Sequence, residues 1–542
     1  MPGDGDSVTY VVVVADRIAD SGFALLNAEE DIEVVSTVGD ADRLKKEIKR
    51  ANALIVRSDT QVTEALIAEA SELQVIGRAG VGVDNVDVAA ATRRGIAVLN
   101  APGANTVSAA EHAIGLLLSN LRNIPAAVSS MRAGKWERKE FPGTEMRGKT
   151  LGLFGLGRIG RHVASIARAF GMRVIAHDPY LPEARALELG IELVSTDQLL
   201  AQADVVSLHL PLNDETRHFL NRDRIAQMKD GAVVVNTARG ALIDDAALIE
   251  GLDSGKLGGA ALDVFEPEPL AEDSPLRSHE LVTLTPHLAA STAEAQERVA
   301  TEICTAIRDA LLTGSIGGAV NLPGISGKTL TRLVGVMELA RRMGRLAAAI
   351  ANGRIKSVAV AYGGKDEDAP RPVMLAALEG VLSALGVDQV SIVNVATLAD
   401  ERGMSVSRKV TSALSGFSTT IGVKVEGKHG VTNVIGAMVG DRTGRVIEVN
   451  GFNVDMPADG YVLILRNRDV PGVIGSVGTL LGEAEINVAS YHQSRGGAGS
   501  HEALATIVVD QPPGSAVVAQ LAELADVIEV TVANLNGGPG GN

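Results

Sequence analysis

Thr150-Leu-Gly-Leu-Phe154-Gly155-Leu-Gly157-Arg158-Ile159-Gly160 is the stretch on which the reading of this chain turns. The apolar run at 150–154 reads as a buried strand and passes at once into three glycines spaced G-x-G-x-x-G. Helical spacing follows over 161–170. A second strand at 173–177 then ends in Asp178, 18 residues beyond Gly160. In a chain with 59 glycines the glycine pattern alone says little. Strand, turn, helix and acid together fit a dinucleotide-binding βαβ unit. Gly155 permits the tight turn, Gly157 the close approach of a pyrophosphate, and Gly160 the packing of helix on sheet. The helix N-terminus faces the phosphates. Asp178 would accept hydrogen bonds from ribose hydroxyls and repel a 2′-phosphate, so NAD is expected rather than NADP.

Working outward, the same alternation appears on both sides. Upstream, strands are expected at 9–15, 33–36, 53–56, 74–77 and 97–100, with helical stretches between them such as 42–50. This pattern predicts a parallel sheet with crossover helices. A long helix at 108–121 opens the unit that contains the glycine turn, and alternation continues to about residue 287. Residues 292–313 read as one helix stopped by Gly314, with Gly317-Gly318 as a linker. Past 320 the texture becomes α+β, with strands expected at 358–361, 390–393, 421–425 and 445–449 and an end near Val454. After a breaker at 457–460 the order β-α-β-β-α-β over 461–532 is ferredoxin-like. The expected fold is α/β: two Rossmann-like doubly wound domains, then an α+β domain and a ferredoxin-like domain.

Composition removes several classes of function. The 542 residues suggest three or four domains. Lys and Arg number 50 against 66 Asp and Glu, a net charge of −16, which disfavours general binding to nucleic acid or anionic membrane. Aromatics are only 3%, against stacking on single strands. No apolar run is long enough to span a bilayer. Residues 1–7 lack a basic n-region, so no secretory signal is read, and residues 537–542 are expected to be disordered. The one cysteine, Cys304, excludes an internal disulfide and a cysteine-rich metal site and makes the cytoplasm the default compartment.

Polar residues cluster where strands end. The strand at 233–236 runs into Thr237-Ala-Arg239-Gly240, that at 260–264 into Phe265-Glu-Pro-Glu268-Pro, and that at 281–285 into Pro286-His287. Ligands of open α/β sheets bind at such carboxyl ends. Arg239, Glu268 and His287 gathered there suit oxidation of a 2-hydroxy acid. Arg offers a planar fork to carboxylate and carbonyl, and His takes the hydroxyl proton as hydride leaves for nicotinamide. Glu beside that His favours the imidazolium. Taken singly, a His after a strand or a Glu between prolines is commonly structural; the inference rests on their recurrence together. Arg57 and Arg78 end strands of the first unit, and Gly80, Val81 and Gly82 could offer backbone N–H groups as an anion nest. Lys135-Trp136-Glu-Arg138-Lys139 is a second basic group and holds the only Trp.

These residues together resemble the D-2-hydroxyacid dehydrogenase family, in the branch with two regulatory domains. The resemblance is carried by Arg78-Ala-Gly-Val-Gly-Val-Asp-Asn85, Asn100-Ala-Pro-Gly-Ala-Asn105-Thr, the glycine turn, Asn236-Thr-Ala-Arg-Gly240, Asp263-Val-Phe-Glu-Pro-Glu-Pro269 and Pro286-His-Leu-Ala-Ala-Ser-Thr292. It implies that Arg239, Glu268 and His287 are catalytic. It places NAD against Gly155, Gly157, Arg158, Ile159, Gly160, Asp178, Thr237 and Asp263. It gives Arg57, Arg78, Gly80, Val81 and Asn105 to the substrate, with Arg138 and Lys139 reaching a neighbouring subunit's site. No metal is implied. The implied reaction is NAD-dependent oxidation of 3-phosphoglycerate to 3-phosphohydroxypyruvate, the first step of L-serine synthesis, in a homotetramer. The implied division is 8–100 with 288–316 as a discontinuous substrate-binding domain, 101–287 for NAD, 320–454 intervening and 460–534 C-terminal. Arg466-Asn-Arg-Asp469-Val-Pro471-Gly and Glu485-Ile-Asn487-Val resemble an ACT domain, which implies L-serine as an effector held by Asp469 and Asn487, although Arg466 and Asn467 depart from the His or Tyr expected there. Alternatives on the same residues are a glyoxylate/hydroxypyruvate reductase, a secondary 2-oxoglutarate reduction, or a non-catalytic NAD-sensing corepressor.

Overall fold

The computed structural model describes residues 9–428, 430–440, 443–497 and 501–536. The expectations for residues 1–7 and 537–542 lie outside the described residues. Among those described, the strands form four sheets. The first contains β1 (Tyr10–Val14), β2 (Ile32–Ser36), β3 (Ala53–Val56), β4 (Val75–Arg78) and β5 (Ala97–Asn100), in the order β2-β1-β3-β4-β5. Every pairing in it is parallel. β1, β3, β4 and β5 are short, mainly Val, Ile, Leu and Ala runs buried on both faces, as a helix-covered parallel sheet requires, whereas the edge strand β2 exposes Glu33 and Ser36.

The second sheet contains β6 (Thr150–Phe154), β7 (Arg173–His177), β8 (Glu192–Leu193), β9 (Val205–Leu208), β10 (Ala232–Asn236), β11 (Leu257–Leu262) and β12 (Val282–Leu284). Its order is β12-β11-β10-β9-β6-β7-β8, so the chain reverses direction across the sheet at β6, where the glycine turn begins. The helix Thr106–Leu121 covers one face through Ala110, Ala113, Leu116 and Leu117. Asn120 on that helix donates from Nδ2 to the carbonyls of Ala260 (3.1 Å) and Leu281 (2.9 Å), which fixes it against β11.

After β12 the chain returns to the first sheet. The helix Ala293–Thr313 is capped by Thr292, whose Oγ1 accepts from Ala295 N, and ends at Gly314 with φ +68°. It buries Val299, Ile303, Cys304 and Ile307 in the core that holds Val12, Ile55 and Val75. The following Gly317-Gly318 passage is pinned rather than loose. Gly318 N donates to Ile325 O, Val320 N to Val98 O, and Asn321 Oδ1 accepts from Val98 N at 3.0 Å, closing the free edge of β5.

The third sheet contains β13 (Ile355–Gly363), β14 (Ser405–Thr411), β15 (Thr419–Gly427), β16 (Gly430–Val439), β17 (Thr443–Val449) and β18 (Phe452–Pro457), in the order β14-β13-β15-β16-β17-β18. The helices Gly327–Ala351 and Pro370–Ala384 cross closely, and a Cβ on Gly344 would stand 2.0 Å from Ala377 O. One expectation fails here. Residues 390–393 are not a strand but a turn entering the helix Val395–Glu401. Asn394 organises it, accepting from Ser391 N (2.8 Å) and donating to Gln389 O (2.8 Å), while Ser391 Oγ docks on Gly95 O (2.9 Å). The domain runs through β18 to Pro457, so Val454 lies inside a strand. The last sheet contains β19 (Tyr461–Arg468), β20 (Val488–Arg495), β21 (Glu502–Val509) and β22 (Val527–Asn534), in the order β20-β21-β19-β22, the ferredoxin-like arrangement.

Candidate active site

The cleft lies between the carboxyl ends of the first two sheets, and local hydrogen bonding shapes its walls. At the end of β10 the buried Asn236 folds the chain back on itself. Its Oδ1 accepts from Ala238 N (3.0 Å) and its Nδ2 donates to Arg239 O (2.8 Å). This Asx-type turn presents Arg239. The guanidinium donates from Nε to Asp84 Oδ2 (3.0 Å) and from Nη1 to Ala238 O (2.6 Å). Nη2 lies over Gly82, where a Cβ would stand 1.8 Å away, so this approach needs glycine.

Beyond β11, Glu268 Oε1 accepts from Phe265 N (3.0 Å) and Oε2 meets His287 Nδ1 at 2.7 Å. An ionised carboxylate only accepts, so Nδ1 carries a proton and Nε2 is left for a reactant. Burial pushes the Glu268 carboxyl up. His287, the Phe265 amide and Arg239 outweigh it and hold the carboxyl below its usual range. His287 itself has φ +55°, a left-handed conformation rare outside glycine. Beside the pair is a cavity of about 600 Å³ walled by Phe265, Pro269, Leu270, Leu284 and Pro286.

The opposite wall is cationic. Arg78 ends β4, largely buried, with its Nε lacking a partner among the described residues. Burial lowers its pKa from the ordinary arginine value, and Arg239 and Arg57 add to this against Asp84 and Asp16. Three guanidiniums thus share one neighbourhood with two carboxylates. Arg57 is held by its backbone, N–H to Asp16 Oδ2 (2.5 Å), while its Nη1 donates to Arg17 O (3.1 Å). The expected nest is smaller than the sequence suggests. Gly80 N turns inward to Arg78 O (2.8 Å), which leaves the amides of Val81 and Gly82. Gly80, at φ +154°, has no room for a side chain, since a Cβ would meet Arg78 Nη1 at 1.6 Å. Asn105 precedes the helix Thr106–Leu121 with its Oδ1 buried and unpartnered. Arg138 and Lys139 are exposed beyond the helix Ile124–Arg132, and no hydrogen bond or ion pair among the described residues joins them to the cleft.

The residues present fit NAD. Gly155 has φ +95° and a Cβ there would meet His209 O at 2.6 Å; one on Gly160 would meet Gly155 O at 2.1 Å. Gly157 faces open space at the start of the helix Arg158–Ala169, where Arg158 is exposed and Ile159 half-buried. Asp178 accepts from Leu156 N (2.8 Å) and Tyr180 N (3.0 Å), which places it beside the glycine turn with lone pairs to spare. Thr237 Oγ1 is buried without a partner, as an atom awaiting a bound group would be. Asp263, expected against NAD, is instead wholly buried with both carboxylate oxygens bonded to protein groups, so its side chain is spent on the fold.

The C-terminal residues do not converge within the chain. Asp469 pairs with Arg495 (3.0 Å) and Asn487 donates to Asp510 (2.5 Å). Arg466 stands between Glu502 and Glu529, and Asn467 is fully buried. Sequence reasoning missed Asp84 as the partner of Arg239, Asp16 as the anchor of Arg57, and His112 beneath Asp263. Asp84 lies in the glycine-rich loop already singled out, so proximity was a usable signal; His112 carried none.

Comparison with known proteins agrees with this fold. The profile of the D-isomer specific 2-hydroxyacid dehydrogenase NAD binding domain matches residues 114–289, the D-3-phosphoglycerate dehydrogenase intervening domain 332–450, and the ACT domain 461–526. A D-3-phosphoglycerate dehydrogenase of Synechocystis sp. is 39% identical over 95% of this chain and 93% of its own length. That of Mycobacterium tuberculosis is 40% identical over 97% of this chain and 99% of its own. The crystal structure of D-lactate dehydrogenase from Aquifex aeolicus with NAD and lactic acid covers 56% of this chain and 96% of its own, at 31% identity and a TM-score of 0.50. No helix among the described residues is long and apolar enough to cross a membrane. With NAD as its cofactor, an oxidoreductase site at its core and relatives alike over nearly its whole length, the chain belongs to the D-3-phosphoglycerate dehydrogenases of the D-isomer specific 2-hydroxyacid dehydrogenase family.

Proposed function

We propose that the cleft oxidises 3-phosphoglycerate to 3-phosphohydroxypyruvate and so opens L-serine synthesis. The observation that carries this reading is the Glu268–His287 pair at 2.7 Å, in one cleft with Arg239, Arg78 and Arg57. The substrate is a 2-hydroxy acid with a carboxylate and a phosphate, and the cluster gathers cationic charge to receive both in a chain whose net charge is −16. Arg239 holds the carboxylate and polarises the forming carbonyl. His287 removes the hydroxyl proton at Nε2, and Glu268 stabilises the imidazolium that results. When bound, NAD supplies the acceptor for the hydride from C2. Arg78 and Arg57, with the Val81 and Gly82 amides, receive the phosphate. Gly155, Gly157, Arg158, Ile159, Gly160, Asp178 and Thr237 hold the cofactor.

The same reading gives 8–100 with 288–316 to the substrate and 101–287 to NAD, supported by the packing of the helix Ala293–Thr313 on the first sheet. Arg138 and Lys139 act on a neighbour in a homotetramer. L-serine binds between paired C-terminal modules through Asp469 and Asn487. The test is NADH formation at alkaline pH from NAD and 3-phosphoglycerate, with and without L-serine. Turnover that serine suppresses supports the whole reading. Turnover indifferent to serine removes the regulatory part. No turnover in either direction overturns the assignment.

A further inference from the structure

We infer that His112 is a positioning residue for the reaction: through Asp263 and Thr285 it holds the turn that carries His287 in the conformation that pairs with Glu268. This rests on the reading of His287 as the proton-transferring group.

The starting point is the backbone of His287. A non-glycine residue at φ +55° is strained and persists only where its surroundings over-determine it. Here they do so chiefly through Asp263. His287 N donates to Asp263 O (2.8 Å) and is shared with Thr285 O (3.1 Å), Leu288 N donates to Asp263 Oδ1 (2.7 Å) and Ala289 N to Asp263 Oδ2 (2.8 Å). Three successive amides of the turn are therefore hung on Asp263.

Asp263 must in turn be held. It is 0% exposed, and no Lys or Arg pairs with it among the described residues. An unpaired buried carboxylate is costly. Its side-chain donors are Thr285 Oγ1 (2.6 Å) and His112 Nε2 (3.1 Å). Nε2 also lies 3.0 Å from Thr285 Oγ1. The proton positions follow from valence. Thr285 spends its hydrogen on the carboxylate, and the carboxylate only accepts, so Nε2 of His112 carries a proton, a single N–H directed between the carboxylate and Thr285 Oγ1. Burial pushes the Asp263 carboxyl up, yet His112, Thr285 and the two amides together hold it below its usual range. His112 comes from the helix Thr106–Leu121, a rigid element packed along the second sheet. The geometry of the proton-transferring His287 is thus referred to a helix outside the cleft.

The test uses the full chain and three variants. His112→Leu removes the donor, His112→Gln keeps an N–H near the place of Nε2, and Thr285→Val removes the second donor. Amide hydrogen exchange of the 285–289 segment, read without substrate, should speed up about tenfold or more in His112→Leu and stay near wild type in His112→Gln. With NAD and 3-phosphoglycerate, kcat should fall about 10- to 100-fold in His112→Leu with both KM values little changed, and His112→Gln should restore most of it. Unchanged exchange and kcat in His112→Leu overturn the inference, as does a His112→Gln that is as impaired as His112→Leu. Should His112→Leu fail to fold, Thr285→Val carries the same readouts, and wild-type behaviour there overturns the inference. His287→Asn is run beside them. If it retains turnover, the role of His287 and this inference fall together; if it is inactive, the His112 variants decide the inference alone.

Discussion

The cleft and the C-terminal module are two sites built by opposite means. In the cleft, residues far apart in the chain converge inside one molecule: Asp84 reaches Arg239 at 3.0 Å across 155 residues, and His287 meets Glu268 at 2.7 Å. In the C-terminal module the two residues expected to hold an effector are each taken by a neighbour, Asp469 by Arg495 and Asn487 by Asp510. Buried atoms without a partner among the described residues occur in both regions, Arg78 Nε and Thr237 Oγ1 in the cleft and Tyr491 Oη and Thr506 Oγ1 in the C-terminal module, so they do not separate the two. Convergence does. Charged residues brought together around one cavity mark a site complete in one chain. Polar residues each paired with a different neighbour mark a surface whose ligand must compete for them, or which needs a second module to complete it.

The comparison breaks most readily at His287. Replacing it by Asn should lower kcat about 10²- to 10⁴-fold with modest change in KM, because the lost group acts only in proton transfer. A variant that retains wild-type turnover would show that the convergence is structural. Arg78→Gln sharpens the same point from the other wall. Loss of a charge-assisted contact to the substrate should raise the KM for 3-phosphoglycerate about 10- to 100-fold. The melting temperature of the free protein should rise, because a buried cation is removed from beside Arg239 and Arg57. A raised KM with a raised melting temperature identifies a ligand site; a raised KM with a lowered melting temperature identifies a structural arginine.

The C-terminal module yields the next effect. Asp469→Asn should shift half-inhibition by L-serine about tenfold upward while basal kcat stays as in wild type. If the serine response is unmoved, Asp469 belongs to Arg495 alone and the effector site lies elsewhere.

Legibility in the sequence followed the same divide. The first two sheets were readable because buried parallel strands are continuous apolar runs, and β6, the glycine turn and β7 stand where the pattern puts them. Arg239, Glu268 and His287 were findable because each follows such a run directly. What the sequence hides is set by long-range partners. Asp263 looks like one more polar residue at a strand end, and only the fold reveals that it holds the His287 turn from beneath. β14 is exposed along almost its whole length, so no apolar alternation announces it. Residues 390–393 have a strand's composition, but Asn394 and the dock on Gly95 make them a turn.

The smallest effect separates the two regions by alkaline stability. In the catalytic half, burial pushes the Cys304 thiol up to about 12. An unfolded thiol ionises near 8.5, so the folded state keeps a proton that the unfolded state gives up, and stability is lost as pH rises above that value. By pH 10 the loss is about 2 kcal/mol. In the C-terminal module the corresponding group is Tyr491, whose hydroxyl is buried, unpartnered and shifted upward by burial. Its contribution is complete up to the unfolded tyrosine value near 10 and fades only beyond it. Denaturant melts between pH 7 and 10 should therefore show the catalytic half weakening while the C-terminal module holds. Cys304→Ala, at whatever absolute stability it settles, should flatten the slope of the first. An unchanged slope would mean that the alkaline loss comes from groups other than the core thiol. The buried Arg78 is not among them, because its lowered pKa makes stability rise with pH rather than fall.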